Sequence, residues 1–137
     1  MTPSEIGAVA EAEVARALRL AGIDVYVPLF NPHARVDLVI DGGGGLQRVQ
    51  CKTSRCSGGA VSFRTCSNTG NVPRDYRGEV DLFGVWSPEL ERAFLVPVEG
   101  VATRRCYLRL GPPANGQQRG IRWAADHKVP AVASRLR

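Results

Sequence analysis

Four side chains in this sequence could together hold and use a divalent cation: Glu11, Asp37, Gln50 and Lys52. Cleaving a phosphodiester calls for a cation that stabilises charge on the phosphoryl oxygen and acidifies an attacking water, and a hard ion such as magnesium takes oxygen ligands. Asp37 offers a charged oxygen, Gln50 a neutral amide oxygen, and the Cys51 backbone carbonyl a further one. Lys52 can orient the water or steady developing negative charge. Glu11, carried on a helix, can reach the ion or a water bound to it. The expected metal ligands are therefore Glu11, Asp37, Gln50 and Cys51, and the expected catalytic set is Glu11, Asp37, Gln50 and Lys52. Magnesium is the expected ion, with manganese able to substitute.

The stretch that must bring these groups together is VDLVIDGGGGLQRVQCK, Val36 to Lys52. Both arms are rich in β-branched and apolar residues, and the glycines Gly42 to Gly45 can supply the positive φ angles of a tight reversal. A loop of those glycines sets Asp41 opposite Leu46 and, counting back along the ladder, Asp37 opposite Gln50. Side chains alternate, so Asp37, Gln50 and Lys52 are expected on one face and Val36, Leu38, Ile40, Val49 and Cys51 on the other. Opposed residues have Cβ atoms ~4.5–5.5 Å apart, within the reach of one ion. A merely solvated sheet face would show the same alternation.

The helix that would carry Glu11 opens at Thr2-Pro3-Ser4-Glu5, a capping box with proline at the first helical position, and should stop at Gly22. Gly7, Ala10, Val14, Ala17, Leu18 and Ala21 recur at helical spacing as a narrow stripe suited to close packing on a sheet. Glu11 borders that stripe. Glu13 lies about two hundred degrees round the helix, so only one of the two can face the hairpin. The competing reading of Glu11 is a boundary residue paired with Arg16 or Arg35. Strands are expected at Asp24 to Leu29 (ending at Pro28), around Ala60 to Cys66, and at Glu79 to Trp86, Ala93 to Val98 and Cys106 to Leu110. The link SPELER joins two of them as a hairpin, and Ile121 to Lys128 reads as a short helix. His33 reads as a loop residue. The chain is expected to be a single domain over 1–129 with a frayed tail over 130–137.

The 137 residues are enough to bury a core without disulfides or metals as staples. The net charge of +5 comes almost wholly from arginine, since Lys52 and Lys128 are the only lysines among 18 cations. Arginine pairs bidentately with phosphate, which favours a polyanionic partner, although a GC-rich genome also inflates arginine. The polar segment after Lys52 carries Arg55, Arg64, Asn68, Asn71 and Arg74, groups able to contact phosphate, and could equally be an ordinary flexible loop. No apolar run approaches the ~20 residues of a membrane span, and the start MTPSEIG lacks a secretory pattern, so an intracellular, cytoplasmic protein is expected. Cys51, Cys56, Cys66 and Cys106 form no C-x2-C pair; reduced, mostly buried thiols are expected rather than zinc ligands, with Cys51 in the core.

A helical Glu, then an Asp, then (E/Q)-x-K across a hairpin resembles the PD-(D/E)XK nuclease superfamily, on Glu11, Asp37, Gln50 and Lys52. The runs GAVAEAEV, VDLVID, RVQCKT, YRGEVDLFGVW and FLVPV, and LRL followed by NGQQ, are similar to the branch that contains group I intron-encoded homing endonucleases, over roughly residues 5 to 127. The resemblance implies an α/β, restriction-endonuclease-like αβββαβ core, a mixed central sheet flanked by helices. It also implies magnesium-dependent cleavage of double-stranded or branched DNA by a homo-oligomer, a dimer or tetramer, that presents two sites to two strands. Site-specific homing enzymes and structure-specific Holliday-junction resolvases both fall within it. Candidates for DNA contact are Arg35, Arg48, Arg55, Arg64, Asn68, Arg74, Tyr76, Arg77, Asn115, Gln117, Arg119 and Arg122. Two positions depart from the superfamily pattern: Val36 stands in place of proline and Gln50 in place of glutamate. The intron-encoded branch uses Q-x-K, which implies that activity survives; the alternative is an inactive nuclease fold kept as a DNA-binding module.

Overall fold

The computed structural model describes residues 1–31, 34–69, 72–117 and 119–130, the side chains of 68 and 69 excepted. His33, Asn71, the side chain of Asn68 and the tail beyond Pro130 lie outside the described residues. The chain runs α1 (Pro3–Leu20), β1 (Asp24–Tyr26), β2 (Leu38–Asp41), β3 (Leu46–Thr53), β4 (Arg55–Ser57), β5 (Ala60–Arg64), β6 (Cys66–Thr69), β7 (Val72–Asp75), β8 (Leu82–Ser87), β9 (Arg92–Pro97) and β10 (Arg105–Arg109), then a 3-10 turn at Ala124–Asp126. Thr2 caps α1 through its Oγ1, which accepts from the Glu5 amide at 3.2 Å. The helix ends through Ala21 into Gly22, whose φ of 85° is cheap for glycine.

Five strands form a mixed sheet in the order β1-β2-β3-β8-β9, with only β3 and β8 parallel. The glycine loop gives the expected register as far as the ladder runs, Asp41 opposing Leu46 and Leu38 opposing Val49, but the ladder stops there and does not pair Asp37 with Gln50, because the Asp37 amide donates to the Val49 carbonyl. The SPELER hairpin also forms, pairing Ser87 with Arg92. Four elements differ from expectation, the first being the strand read from Glu79, which begins only at Leu82. β1 stops at Tyr26, because Pro28 has no amide to donate and restricts Val27 before it. The segment over Ile121 to Lys128 makes only the 3-10 turn. The connection from β3 to β8, where αβββαβ order places a second helix, is made of β4 to β7 instead. That stretch holds Gly58-Gly59, Pro73 and many Ser and Thr, all poor helix formers.

The central sheet is covered differently on its two sides. On one, α1 lays Val14 and Leu18 against Leu38, Ile40, Val49 and Leu82. On the other, the sheet β10-β5-β4 supplies Val61, Phe63, Cys106 and Leu108 against Phe83, Val85, Phe94 and Val96. Phe63, Phe83 and Phe94 are fully buried, each contributing on the order of 1.5–3 kcal/mol of hydrophobic stabilisation. Val36 packs on this second side, not with Leu38 as alternation implied, because β2 begins only at Leu38 and the preceding residues leave the pleat. Gly84 sets the height of α1. A Cβ built there would meet Val14 Cγ1 at 2.7 Å and Val49 Cγ1 at 3.0 Å, so only glycine lets the helix lie this close. No helix among the described residues is long and apolar enough to cross a membrane.

Candidate active site

Asp37 stands one residue before β2 begins, at the rim where β2 and β3 part. Its amide donates to the Val49 carbonyl at 2.8 Å, and its Oδ2 accepts from the Cys51 amide at 2.8 Å. In a strand the N–H and C=O of one residue point to the same side, so the Cys51 carbonyl opens toward the gap that holds the Asp37 carboxylate. Gln50 Nε2 donates to that carbonyl at 3.3 Å, and among the described residues nothing donates to the Gln50 amide oxygen. Gln50 and Lys52 project to the side of Phe83 and Val85, their partners in register, whereas α1 covers the opposite side. Asp37, at the rim, is exposed to the field of both.

Burial raises the Asp37 carboxyl above its ordinary range, against the Cys51 hydrogen bond and the Lys52 charge, which lower it. Glu11 is also raised, first by burial and then by the negative charge of Asp37. The Cys51 thiol is pushed up by burial, then by Asp37 and Glu11. Glu11 lines a depression with Ala15, Val27 and Leu38, and so is the helical carboxylate on the hairpin side. Glu13 lines a different depression, with Arg16, Trp86 and Arg92. Among the described residues no three His, Cys, Asp or Glu side chains gather as a metal-holding group. Glu11 and Asp37 are therefore the acidic donors available, with neutral oxygens from Gln50 and Cys51. Two partly desolvated carboxylates with neutral oxygens near them form a hard donor set, the kind that suits a divalent cation preferring oxygen ligands.

Lys52 Nζ donates to Tyr76 Oη at 2.9 Å. Tyr76 is only 4% exposed and belongs to the core, so it is removed from the expected DNA contacts. Arg35 leaves that set too. Its guanidinium carbon lies 3.5 Å from the Tyr76 ring centroid, and it donates to Ser67 Oγ (3.0 Å), the Arg74 carbonyl (3.0 Å), Glu79 Oε1 (3.2 Å) and the Asp75 carbonyl. Arg48 is likewise engaged, by Asp81 and the Gly78 carbonyl, and Arg74 by Glu79. Each of these arginines satisfies acceptors of its own chain, which a reading of charge by sequence cannot see.

Arg55 and Arg64 are exposed and line a cleft of about 400 Å³ with Lys52, Thr53, Ser54, Ser62, Ile6 and Arg105. Arg105 was not expected there; it arrives because β10 pairs with β5, setting Arg105 opposite Arg64. The contacts of Asn115 and Gln117 stay within their own loop, Gln117 reaching the Arg119 carbonyl at 2.8 Å. Arg77 is exposed and reaches the Val101 carbonyl, and Arg122 lines a separate depression with Trp123 and His127. The cysteines are free, with Cys66 and Cys106 buried and Cys51 and Cys56 partly so.

Residues 1–130 match the family described as PD-(D/E)XK endonuclease. Among solved structures the chain is similar to a bacterial homing endonuclease, I-Ssp6803I, at 27% identity and a TM-score of 0.69, over 93% of this chain and 89% of that one. No curated protein matches. The family match spans all the described residues, up to Pro130, and the chain belongs to the PD-(D/E)XK endonuclease family.

Proposed function

We propose that this protein is a magnesium-dependent DNA endonuclease of the homing type, with Glu11, Asp37, Gln50 and Lys52 as its catalytic set. One observation carries the reading: the Asp37 carboxylate accepts from the Cys51 amide at 2.8 Å, which holds it at the middle of the Q-x-K stretch of β3 that carries Gln50 and Lys52. Glu11, Asp37, the Gln50 amide oxygen and the Cys51 carbonyl would hold the ion. When bound, magnesium would supply charge stabilisation at the phosphoryl oxygen and a more acidic water. Asp37 is oriented for this by the Cys51 amide, which fixes one carboxylate oxygen and leaves the other free. Lys52 offers its remaining N–H groups to the nucleophile or the phosphate. Arg55, Arg64 and Arg105, lining one cleft with Lys52, are placed to hold the flanking backbone phosphates.

The similarity to a homing endonuclease favours site-specific cutting. A single such site cleaves one strand, so the reading includes a homo-oligomer. The exposed run Val27 (66%), Leu29 (79%) and Phe30 (86%), just past the outer edge strand β1, offers a second copy apolar surface to bury. Sedimentation of the protein should then show a dimer or tetramer.

The deciding experiment incubates supercoiled, linear and four-way-junction DNA with magnesium, manganese or EDTA, using wild-type protein and Asp37→Ala. Cutting at rare sites by the wild type alone, lost in EDTA, is the expected outcome. Cutting confined to junctions would make it a resolvase. Binding that persists in EDTA with no cutting would make it a DNA-binding module with Gln50 as its cause. Retained cutting by Asp37→Ala would remove the site assignment.

A further inference from the structure

Tyr76 meets Lys52 as a core aromatic whose hydroxyl faces the ammonium. Its ring packs edge-on against Phe83, with centroids 5.6 Å apart at 88°. Arg35 stacks on the ring at 3.5 Å, and Lys52 Nζ sits 4.6 Å from its centroid while donating to its Oη at 2.9 Å. The ring is therefore fixed before the lysine meets it, by the core and by a guanidinium whose own donors are held by Ser67 on β6, by carbonyls of β7 and by Glu79. Lysine is a flexible stem that ends in a compact charge, and unless something holds the head it samples many rotamers. Among the described residues Tyr76 Oη is the one acceptor for the Lys52 head.

We propose that Tyr76 is the positioning residue for Lys52: its hydroxyl takes one of the three ammonium hydrogens and so aims the other two toward the Asp37 rim. The proposal rests on the nuclease reading for the role of Lys52. It adds that the fixed point is an aromatic residue immediately after β7, locked from behind by Arg35. No proton moves in this arrangement. The neutral phenol oxygen accepts, and the ammonium stays charged and oriented. The β6–β7 ribbon, tied to Tyr76 through Arg35, becomes part of the catalytic frame and not a detachable loop.

The chain is well suited to a direct test because Lys52 and Lys128 are its only lysines. Lysine labelled at the ε-carbon gives two signals. In the wild type the two Hε protons of Lys52 should be inequivalent, held beside an aromatic ring, while those of exposed Lys128 average. Averaged Hε protons at Lys52 in the wild type would overturn the proposal without any variant. Tyr76→Phe removes only the hydroxyl. It should average the Lys52 Hε protons and slow single-turnover cutting by roughly 10–100-fold, with DNA affinity in EDTA within about twofold of wild type. A residue serving only the fold would lower stability or affinity and leave the rate of bound complex alone. Unchanged cutting by folded Tyr76→Phe, or a loss wholly in affinity, would also overturn the proposal. Failure of the wild type to cut any DNA would be a failure of the nuclease reading, and the lysine spectrum reports the hold on Lys52 independently of it.

Discussion

Two groups of charged side chains lie close along β3, and they are built on opposite plans. At one end Asp81 accepts from the Arg48 amide at 2.8 Å, from its Nε at 3.1 Å and from its Nη2 at 3.2 Å, and hydrogen bonding from Arg48 holds the Asp81 carboxyl below its usual range. Close by, Glu79 takes both Arg35 and Arg74. At the other end Asp37 and Glu11 are partly buried, and burial lifts both. The first group is satisfied within the chain; the second keeps acidic oxygens desolvated with one lysine nearby. Desolvated charge without full compensation opposes folding, and under the proposed function a bound cation would supply the missing compensation at this rim.

The largest test of that contrast compares one aspartate from each group. Asp37→Ala should lower single-turnover cutting by about 10³-fold or more, the scale of losing a main electrostatic contributor at the reacting phosphate. Asp81→Asn should leave cutting within about threefold of wild type and reduce stability by at most ~1 kcal/mol, since its ion pair is half exposed. Equal losses of cutting in the two variants would erase the distinction.

The next effect separates two carboxylates two positions apart on α1. Glu11→Gln should raise the magnesium needed for half-maximal cutting and slow cutting by roughly 10–100-fold. Glu13→Gln, in a depression lined by Arg16 and Arg92, should do neither. A magnesium titration of cutting by both variants decides this, and similar curves would take the helix out of the site. Smaller again is the effect of Gln50→Glu. A third carboxylate should lower the magnesium requirement by about 3–10-fold, as ~1 kcal/mol of added attraction at a partly solvated site implies, and should destabilise the metal-free protein.

The parts of this plan that sequence revealed are those fixed by local period. Alternation in VDLVID and RVQCK and the run of glycines between them were sufficient for the register that sets Leu38 against Val49. Helical spacing placed Glu11 beside the buried stripe of Ala10, Val14 and Leu18. What stayed illegible depends on contacts between distant segments. Tyr76 looked like a surface aromatic in a basic loop and is a core residue bonded to Lys52 across 24 positions. Arg35 and Arg48 looked like free cations and are internal ties. Arg105 reached the cleft only through the pairing of β10 with β5. Val36 broke the alternation because Asp37 is pulled out of the pleat to bind the Cys51 amide, a distortion no pattern of apolar residues encodes.

The contrast also fixes the sign of a pH effect. Because the Asp37 carboxyl is raised above its ordinary value of 3.8, the folded protein holds that proton more tightly than the unfolded chain does. The corresponding stability is fully present below the ordinary value and is lost as pH rises through the raised one. Asp37→Asn cannot ionise and keeps an oxygen to accept from the Cys51 amide, so it escapes this loss. In EDTA at pH 7 the variant should melt above wild type, by a few degrees at most because the group is partly exposed and screened. The difference should shrink to nothing as the pH approaches the ordinary aspartate value. Magnesium should then reverse the order, since it stabilises only the form that binds it, and the wild type binds it better. Melting curves of both proteins across pH, with and without the ion, test this. Should Asp37→Asn melt below wild type at neutral pH in EDTA, the Asp37 carboxylate is as well matched within its own chain as Asp81, and the rim has no need of a cation.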